Sequence, residues 1–260
     1  MTATSRLSAS DIAVSLGHKT VLQQFHAALP DGALTTIVGP NGSGKSTLLR
    51  ALARLIPVSS GTVYLDGQPI LGQKTRAVAR RLAILPQKPV APEGLSVREL
   101  VRRGRTPYQT AFRQGSEEDA SAIADALSRT GLADLAERPL NTLSGGQQQR
   151  AWIAMTLAQG TEILLLDEPT AFLDLAHQVE LLALVRGLNR EGGKTVAIVL
   201  HDINLAARYA DHMIALKDGR VHAEGTPEHI VTEPLMAEVF GLTCKVIADP
   251  IHGKPFVIPA

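Results

Sequence analysis

Two groups of residues in this 260-residue chain have the types and spacing that phosphate chemistry requires. Gly39, Pro40, Asn41, Gly42, Ser43, Gly44, Lys45, Ser46 and Thr47 fit the pattern G-x-x-x-x-G-K-[S/T] at every fixed position. The glycines let backbone N–H groups converge on phosphate oxygens, and a helix starting after them adds the positive end of its dipole. Lys45 then reaches the β- and γ-phosphates of a nucleoside triphosphate, and Ser46 offers a hydroxyl to Mg²⁺. The second group is Asp167 and Glu168, which close the apolar run at 163–166. Asp167 has the oxygens to organise Mg²⁺, and Glu168 can orient or deprotonate an attacking water.

Both groups need a scaffold that brings strand ends and helix starts together. The apolar runs at 34–38, 163–166 and 195–200 are too short for helices and are bounded by turn residues or an acid. They predict strands buried on both faces of a parallel sheet. Helical patterns at 46–55 and 176–189 lie between them, the second ending before Gly192-Gly193, which is α/β layering. Residues 62–65 and 212–216 predict further strands, the latter turning through Asp218-Gly219 into 220–223. From 96 to 158 the periodicity is helical throughout, as in Val97, Leu100 and Val101 or Ile123 and Leu127, and predicts a helical insert. The chain from Pro227 predicts two short helical segments and a β-like tail around 244–247 and 255–258.

Leu143-Ser144-Gly145-Gly146-Gln147, followed by Gln148-Gln149-Arg150, is the most discriminating run. By itself it reads as an N-capped helix start, or as a second surface of bare N–H groups and a hydroxyl suited to phosphate. Here the chain resembles the ATP-binding cassette (ABC) ATPases. The run matches their signature, and the other family elements stand in family order: Gln87 in a lid loop, Asp167 and Glu168, Asp174 after Leu173, and His201 after a strand.

The resemblance implies an α/β fold, a P-loop (RecA-like) parallel-sheet core with antiparallel β elements and an inserted helical subdomain. It implies one domain over 1–260, with 1–87 and 159–260 as the nucleotide-binding core and 88–158 as the helical signature subdomain. It implies ATP and Mg²⁺, with Glu168, His201 and Gln87 catalytic and Gln87 joining Ser46 and Asp167 around the metal. Alone, His201 reads as a satisfied strand-end histidine; the family's histidine contacts the γ-phosphate. The resemblance also assigns Asp174 and Ser144, Gly145, Gly146 and Gln147 to nucleotide binding. They act in a head-to-tail dimer, where the signature of one chain meets the γ-phosphate held by Lys45 of the other. One position departs from the pattern. The aromatic residue on which adenine stacks is replaced by Leu16, which leaves the base to Leu16 or to His18.

Whole-chain properties narrow the setting. Lys and Arg number 26 against 25 Asp and Glu, a net charge of +1, so no overall field favours nucleic acid. The apolar runs fall far short of the roughly 20 residues of a membrane helix, and the N-terminus has no secretion signal. The cytosol is therefore expected. The single cysteine, Cys244, is expected to be a small buried apolar residue, with no metal role for it or His252.

Residues 91–112, 143–159, 200–216 and 241–259 are similar to the ferric-siderophore importer ATPases, whose relatives import haem and cobalamin. That implies an energising subunit of a bacterial iron–siderophore importer, working as two cassettes on two integral-membrane permease subunits supplied by a substrate-binding protein. Such a subunit is peripheral, at the cytoplasmic face of the inner (plasma) membrane. The alternative is a soluble non-transport cassette, such as an iron–sulfur assembly ATPase, or an importer of haem or cobalamin. Arg98, Arg102, Arg103 and Arg105 are expected to form a basic face that docks on the permease.

Overall fold

Alternate residues of a strand point to opposite faces, so a strand that is apolar on both must be covered twice. The computed structural model describes residues 5–109 and 115–260. Residues 1–4 and the end of the 91–112 segment lie outside that range. The described chain begins with a long hairpin, β1 (Ser5–Leu16) and β2 (Lys19–Pro30). Then come β3 (Leu34–Val38), α1 (Lys45–Leu52), β4 (Ser60–Leu65), the two-residue β5 (Gln68–Pro69), α2 (Thr75–Ala79) and β6 (Leu82–Leu85). Between β6 and the next strand lie α3 (Val97–Arg103), α4 (Glu117–Arg129) and α5 (Gly145–Ala158). The chain re-enters the sheet with β7 (Ile163–Asp167), α6 (Leu175–Gly192), β8 (Thr195–Val199), α7 (Ile203–Tyr209), β9 (His212–Lys217) and β10 (Arg220–Gly225). It closes with α8 (Pro227–Ile230), α9 (Glu233–Phe240), β11 (Cys244–Ala248) and β12 (Pro255–Pro259).

The main sheet has the order β10-β9-β3-β8-β7-β6, parallel except for β10. Every residue of β3, β7 and β8 is buried, as the uninterrupted apolar runs predict. Along β7, Leu164 and Leu166 enter one core, with the helices, while Ile163 and Leu165 enter the other. That second core is capped by α1 and by an antiparallel sheet of order β2-β1-β4-β5. β6 and the β1–β2 hairpin were not expected from the sequence. The hairpin's alternation is broken by bulges where Asp11 and Gln24 take φ of 52° and 46°, which hides a period of two.

The insert between β6 and β7 is helical, as expected, with one isolated bridge between Ser96 and Pro139. α3 and α4 both pack on α5, and α3 does so at close range. A Cβ on Gly104 would lie 2.1 Å from the Met155 carbonyl oxygen. Cys244 is buried, as expected.

The arginine face needs correcting. Arg105 is not a docking residue: it is 8% exposed, its Nε donates to Asp119 Oδ1 at 2.7 Å and its Nη1 to the Ala158 carbonyl at 2.9 Å. Its guanidinium lies 3.8 Å from the centroid of the Tyr108 ring, which also carries Arg80 at 4.9 Å. Arg98 is paired with Glu137. Removing one partner of a buried pair strands the other charge, so Arg105→Ala should lower unfolding stability by about 3–5 kcal/mol. Arg102→Ala, at an exposed position, should stay within about 0.5 kcal/mol of the parent. Urea unfolding curves of the two variants check this. Equal effects would return Arg105 to the surface.

Candidate active site

β3 delivers the phosphate loop. Its last residue is followed by Gly39, whose φ is 149°, and a Cβ there would sit 2.2 Å from the Leu216 carbonyl oxygen of β9. Gly44 is restricted chiefly by its φ of 102°, and a Cβ there would also meet Leu22 Cδ2 at 2.7 Å. The loop is thus pinned between the sheet and the hairpin, and α1 starts at Lys45 with its free N–H groups turned to the loop. Lys45 is buried, and its Nζ donates to the carbonyls of Gly39 at 2.8 Å and Pro40 at 2.9 Å. An ammonium has three donors, so one remains for a ligand. Burial lowers the Lys45 pKa, while the carboxylates of Glu168 and Asp167 oppose that shift. A cavity of about 290 Å³ opens on this loop. Asn41, Lys45, Ser46 and Thr47 line it, with Glu168 from β7's end and Lys19 and Val21 from β2.

β7 delivers the acids. Ser46 Oγ donates to Asp167 Oδ1 at 2.8 Å, joining the first turn of α1 to the strand end. Burial raises the Asp167 pKa despite that bond. Among the described residues Asp167 Oδ2 is buried with no hydrogen-bond partner. A serine hydroxyl beside a carboxylate with an unsatisfied oxygen is a hard-oxygen donor set that fits Mg²⁺. Glu168 follows with φ 49°, a left-handed conformation that costs a non-glycine residue about 1–3 kcal/mol. Its carboxylate lies between two partners. Gln87 Nε2 donates to Oε2 at 2.5 Å, and His201 Nε2 lies 2.8 Å from Oε1. Gln87 follows β6 and His201 follows β8, so the strands flanking β7 supply both.

Lys45, Ser46, Asp167, Glu168, Gln87 and His201 therefore meet at one place. Asn41, Gly42, Gly44 and Thr47 of the loop line the cavity as well, whereas Ser144, Gly145, Gly146, Gln147, Asp174 and Leu16 do not. Ser144 caps α5 in a capping box: its Oγ accepts from Gln147 N–H at 3.3 Å, and Gln147 Oε1 accepts from Ser144 N–H at 3.1 Å. Asp174 caps α6, its Oδ1 accepting from the His177 N–H at 2.9 Å. Leu16 ends β1 and is 51% exposed. Sequence reasoning missed Lys19 and Val21. The hairpin register, with Leu16 opposite Lys19, carries them to the loop, and a Gly17-His18 turn was the available signal.

Residues 22–171 match the family model described as ABC transporter. The chain belongs to the ABC transporter family. As an ABC cassette it binds ATP, and the cavity on the phosphate loop is where its family motif lies. It is 51% identical to the achromobactin transport ATP-binding protein CbrD of Dickeya dadantii, over 97% of this chain and 94% of that one. It is 49% identical to the ferric enterobactin transport ATP-binding protein FepC of Escherichia coli, over 98% and 94%. Among solved structures it is similar to the dimeric post-hydrolysis state of the cassette MJ0796 bound to ADP and Pi. The TM-score is 0.74 at 31% identity, covering 85% of this chain and 98% of that one.

A folded-state pKa raised by burial means that ionising Asp167 costs stability. The cost is absent below the carboxylate range of the unfolded chain, grows as pH rises from there to the folded value and is complete above it. Asp167→Asn keeps an acceptor for Ser46 without that charge. The nucleotide-free variant should melt higher than the parent at pH 8, by about 2–4 °C for each kcal/mol recovered in a domain of this size. The gap should narrow as the pH is lowered, while hydrolysis is lost. Calorimetry across pH tests the sign; a variant that melts lower at pH 8 contradicts it.

Proposed function

We propose that this cassette hydrolyses ATP to energise a bacterial importer of iron–siderophore complexes. The observation that carries the hydrolytic part is the Glu168 carboxylate, fixed by Gln87 and His201 at the rim of a cavity lined by Lys45 and Ser46. The import part is supported by the near full-length similarity to cassettes named for achromobactin and ferric enterobactin transport. Lys45 and the loop N–H groups hold the β- and γ-phosphates. Ser46 and Asp167, with Gln87, would hold Mg²⁺, which would neutralise charge on the phosphate oxygens. Glu168 accepts a hydrogen bond from water, aims its oxygen at the γ-phosphorus and takes its proton on a carboxylate oxygen. His201, half-exposed beside it, keeps the carboxylate in line and contacts the γ-phosphate.

The signature residues Ser144, Gly145, Gly146 and Gln147, and Asp174, do not line the cavity of their own chain. A second copy arranged head to tail supplies them, a reading supported by the dimeric MJ0796 cassette. The helices α3, α4 and α5 follow Gln87 in the chain, so displacement of Gln87 by nucleotide would be felt there. A cavity of about 610 Å³ borders that joint, lined by Pro89, Glu93, Leu95, Asn141 and Trp152 among others. It receives a cytoplasmic segment of the permease. Among the described residues no helix is long and apolar enough to cross a membrane, so attachment to the cytoplasmic face of the inner membrane runs through two permease subunits. An external substrate-binding protein delivers the iron complex.

Two experiments test the reading. Glu168→Gln keeps shape and hydrogen bonding but not the base, so ATP binding should persist while turnover falls about 10²–10⁴-fold. Turnover at the parent rate would remove Glu168 from this role. Mixing Lys45→Ala with Ser144→Arg subunits should restore part of the ATPase activity each lacks, because one of the two shared sites is then intact. Iron–siderophore uptake by a strain lacking its own import ATPase, given this chain and its permease, tests the cargo; uptake without the chain would refute it.

A further inference from the structure

His177 stands outside the hydrolytic cluster, yet it touches two of the elements assigned above to the shared site. It lies in the first turn of α6, where its N–H donates to Asp174 Oδ1 at 2.9 Å and its ring Nδ1 meets the same oxygen at 2.7 Å. The other side of the ring is pressed against the start of α5. A Cβ built on Gly146 would lie 2.8 Å from His177 Cδ2, 3.3 Å from Cγ and 3.5 Å from Nε2. One imidazole therefore spans from the cap of α6 to the second residue of the signature helix. Asp174 is largely exposed, and the His177 N–H and ring hold its carboxyl below the usual carboxylate range, so it stays ionised. Neither His177, Asp174 nor Gly146 lines the phosphate cavity of the same chain.

We infer that His177 is a positioning residue that fixes the Asp174 turn to the signature turn, so that both reach the nucleotide of a second copy as one rigid surface. The inference rests on the two-copy reading above. Its physical content is preorganisation: two turns carried by separate helices meet a triphosphate together only if their separation is set beforehand. The imidazole sets it through a hydrogen bond on one side and ring packing on the other. Glycine at 146 is what lets the ring lie so close.

The test uses the full chain in the Glu168→Gln background, where ATP is held without turnover. ATP-driven dimerisation is followed by sedimentation, and binding of a labelled ATP analogue is measured at concentrations where the chain is monomeric. His177→Ala should weaken dimerisation by about tenfold for each of the two equivalent sites, on the order of a hundredfold in all. Analogue binding by the monomer should stay within about twofold, since ordinary hydrogen-bond differences of a few tenths of a kcal/mol lie inside that factor. His177→Asn retains a donor where Nδ1 stands, toward Asp174, and should recover part of the loss. Dimerisation of His177→Ala equal to that of Glu168→Gln alone overturns the inference. So does loss of monomer nucleotide binding, which would mark general damage. Failure of the Glu168→Gln chain itself to dimerise with ATP would instead overturn the two-copy reading.

Discussion

The hydrogen bond from Ser46 Oγ to Asp167 Oδ1 joins the two halves of the site across the sheet. It is possible only because β3 and β7, separated by β8, end at the same level. Parallel pairing sets β3 against β8 and β8 against β7 residue by residue, with Ile37 opposite Val199 and Val199 opposite Asp167. Because every side chain of these strands is buried on one face or the other, a slip of one residue would turn both cores inside out. The register is thus fixed by hydrophobic burial, and the polar site inherits its precision from it. Gln87 and His201 follow the same logic, since β6 and β8 flank β7.

That precision is held against local cost. Asp167 is a carboxylate taken out of water with only one of its oxygens bonded, and Glu168 occupies a left-handed conformation. Lys45 is a buried ammonium whose bonded partners are backbone carbonyls. Each is unfavourable for folding alone, and each leaves a group poised for a charged ligand: a free carboxylate oxygen, a carboxylate between two partners and a third ammonium donor. Strain and desolvation collect at the strand ends because the apolar sheet beneath is stable enough to bear them.

Much of this was legible in the sequence, for identifiable reasons. β3, β7 and β8 announce themselves as short apolar runs because they are buried on both faces, and the loop after β3 because only glycine fits at 39 and 44. The hairpin was not legible, since bulges at Asp11 and Gln24 break its alternation, and with it went Lys19 and Val21. The left-handed turn at Glu168 has no sequence signal, because glutamate does not favour it. Arg105 misled for a different reason. Its neighbours Arg102 and Arg103 are exposed, and its partner Asp119 lies on another helix, so only tertiary packing separates a buried pair from a solvated run.

The distribution of polar groups also bears on how hydrolysis and assembly are linked. Lys45, Ser46 and Lys19 line the cavity with the phosphate loop, whereas Leu16, at the end of β1, is half exposed and does not line it. On the proposed reading, affinity then resides mainly in charge-assisted contacts to the triphosphate rather than in the base. On the same reading the γ-phosphate would be touched by Lys45 in one copy and by the signature in the other, so its loss would remove contacts from both copies at once. By linkage, whatever stability ATP confers on the paired state, pairing confers on ATP affinity. A cassette whose grip is concentrated on the phosphates therefore ties the chemical step directly to separation of the two copies, with no additional switch required between them.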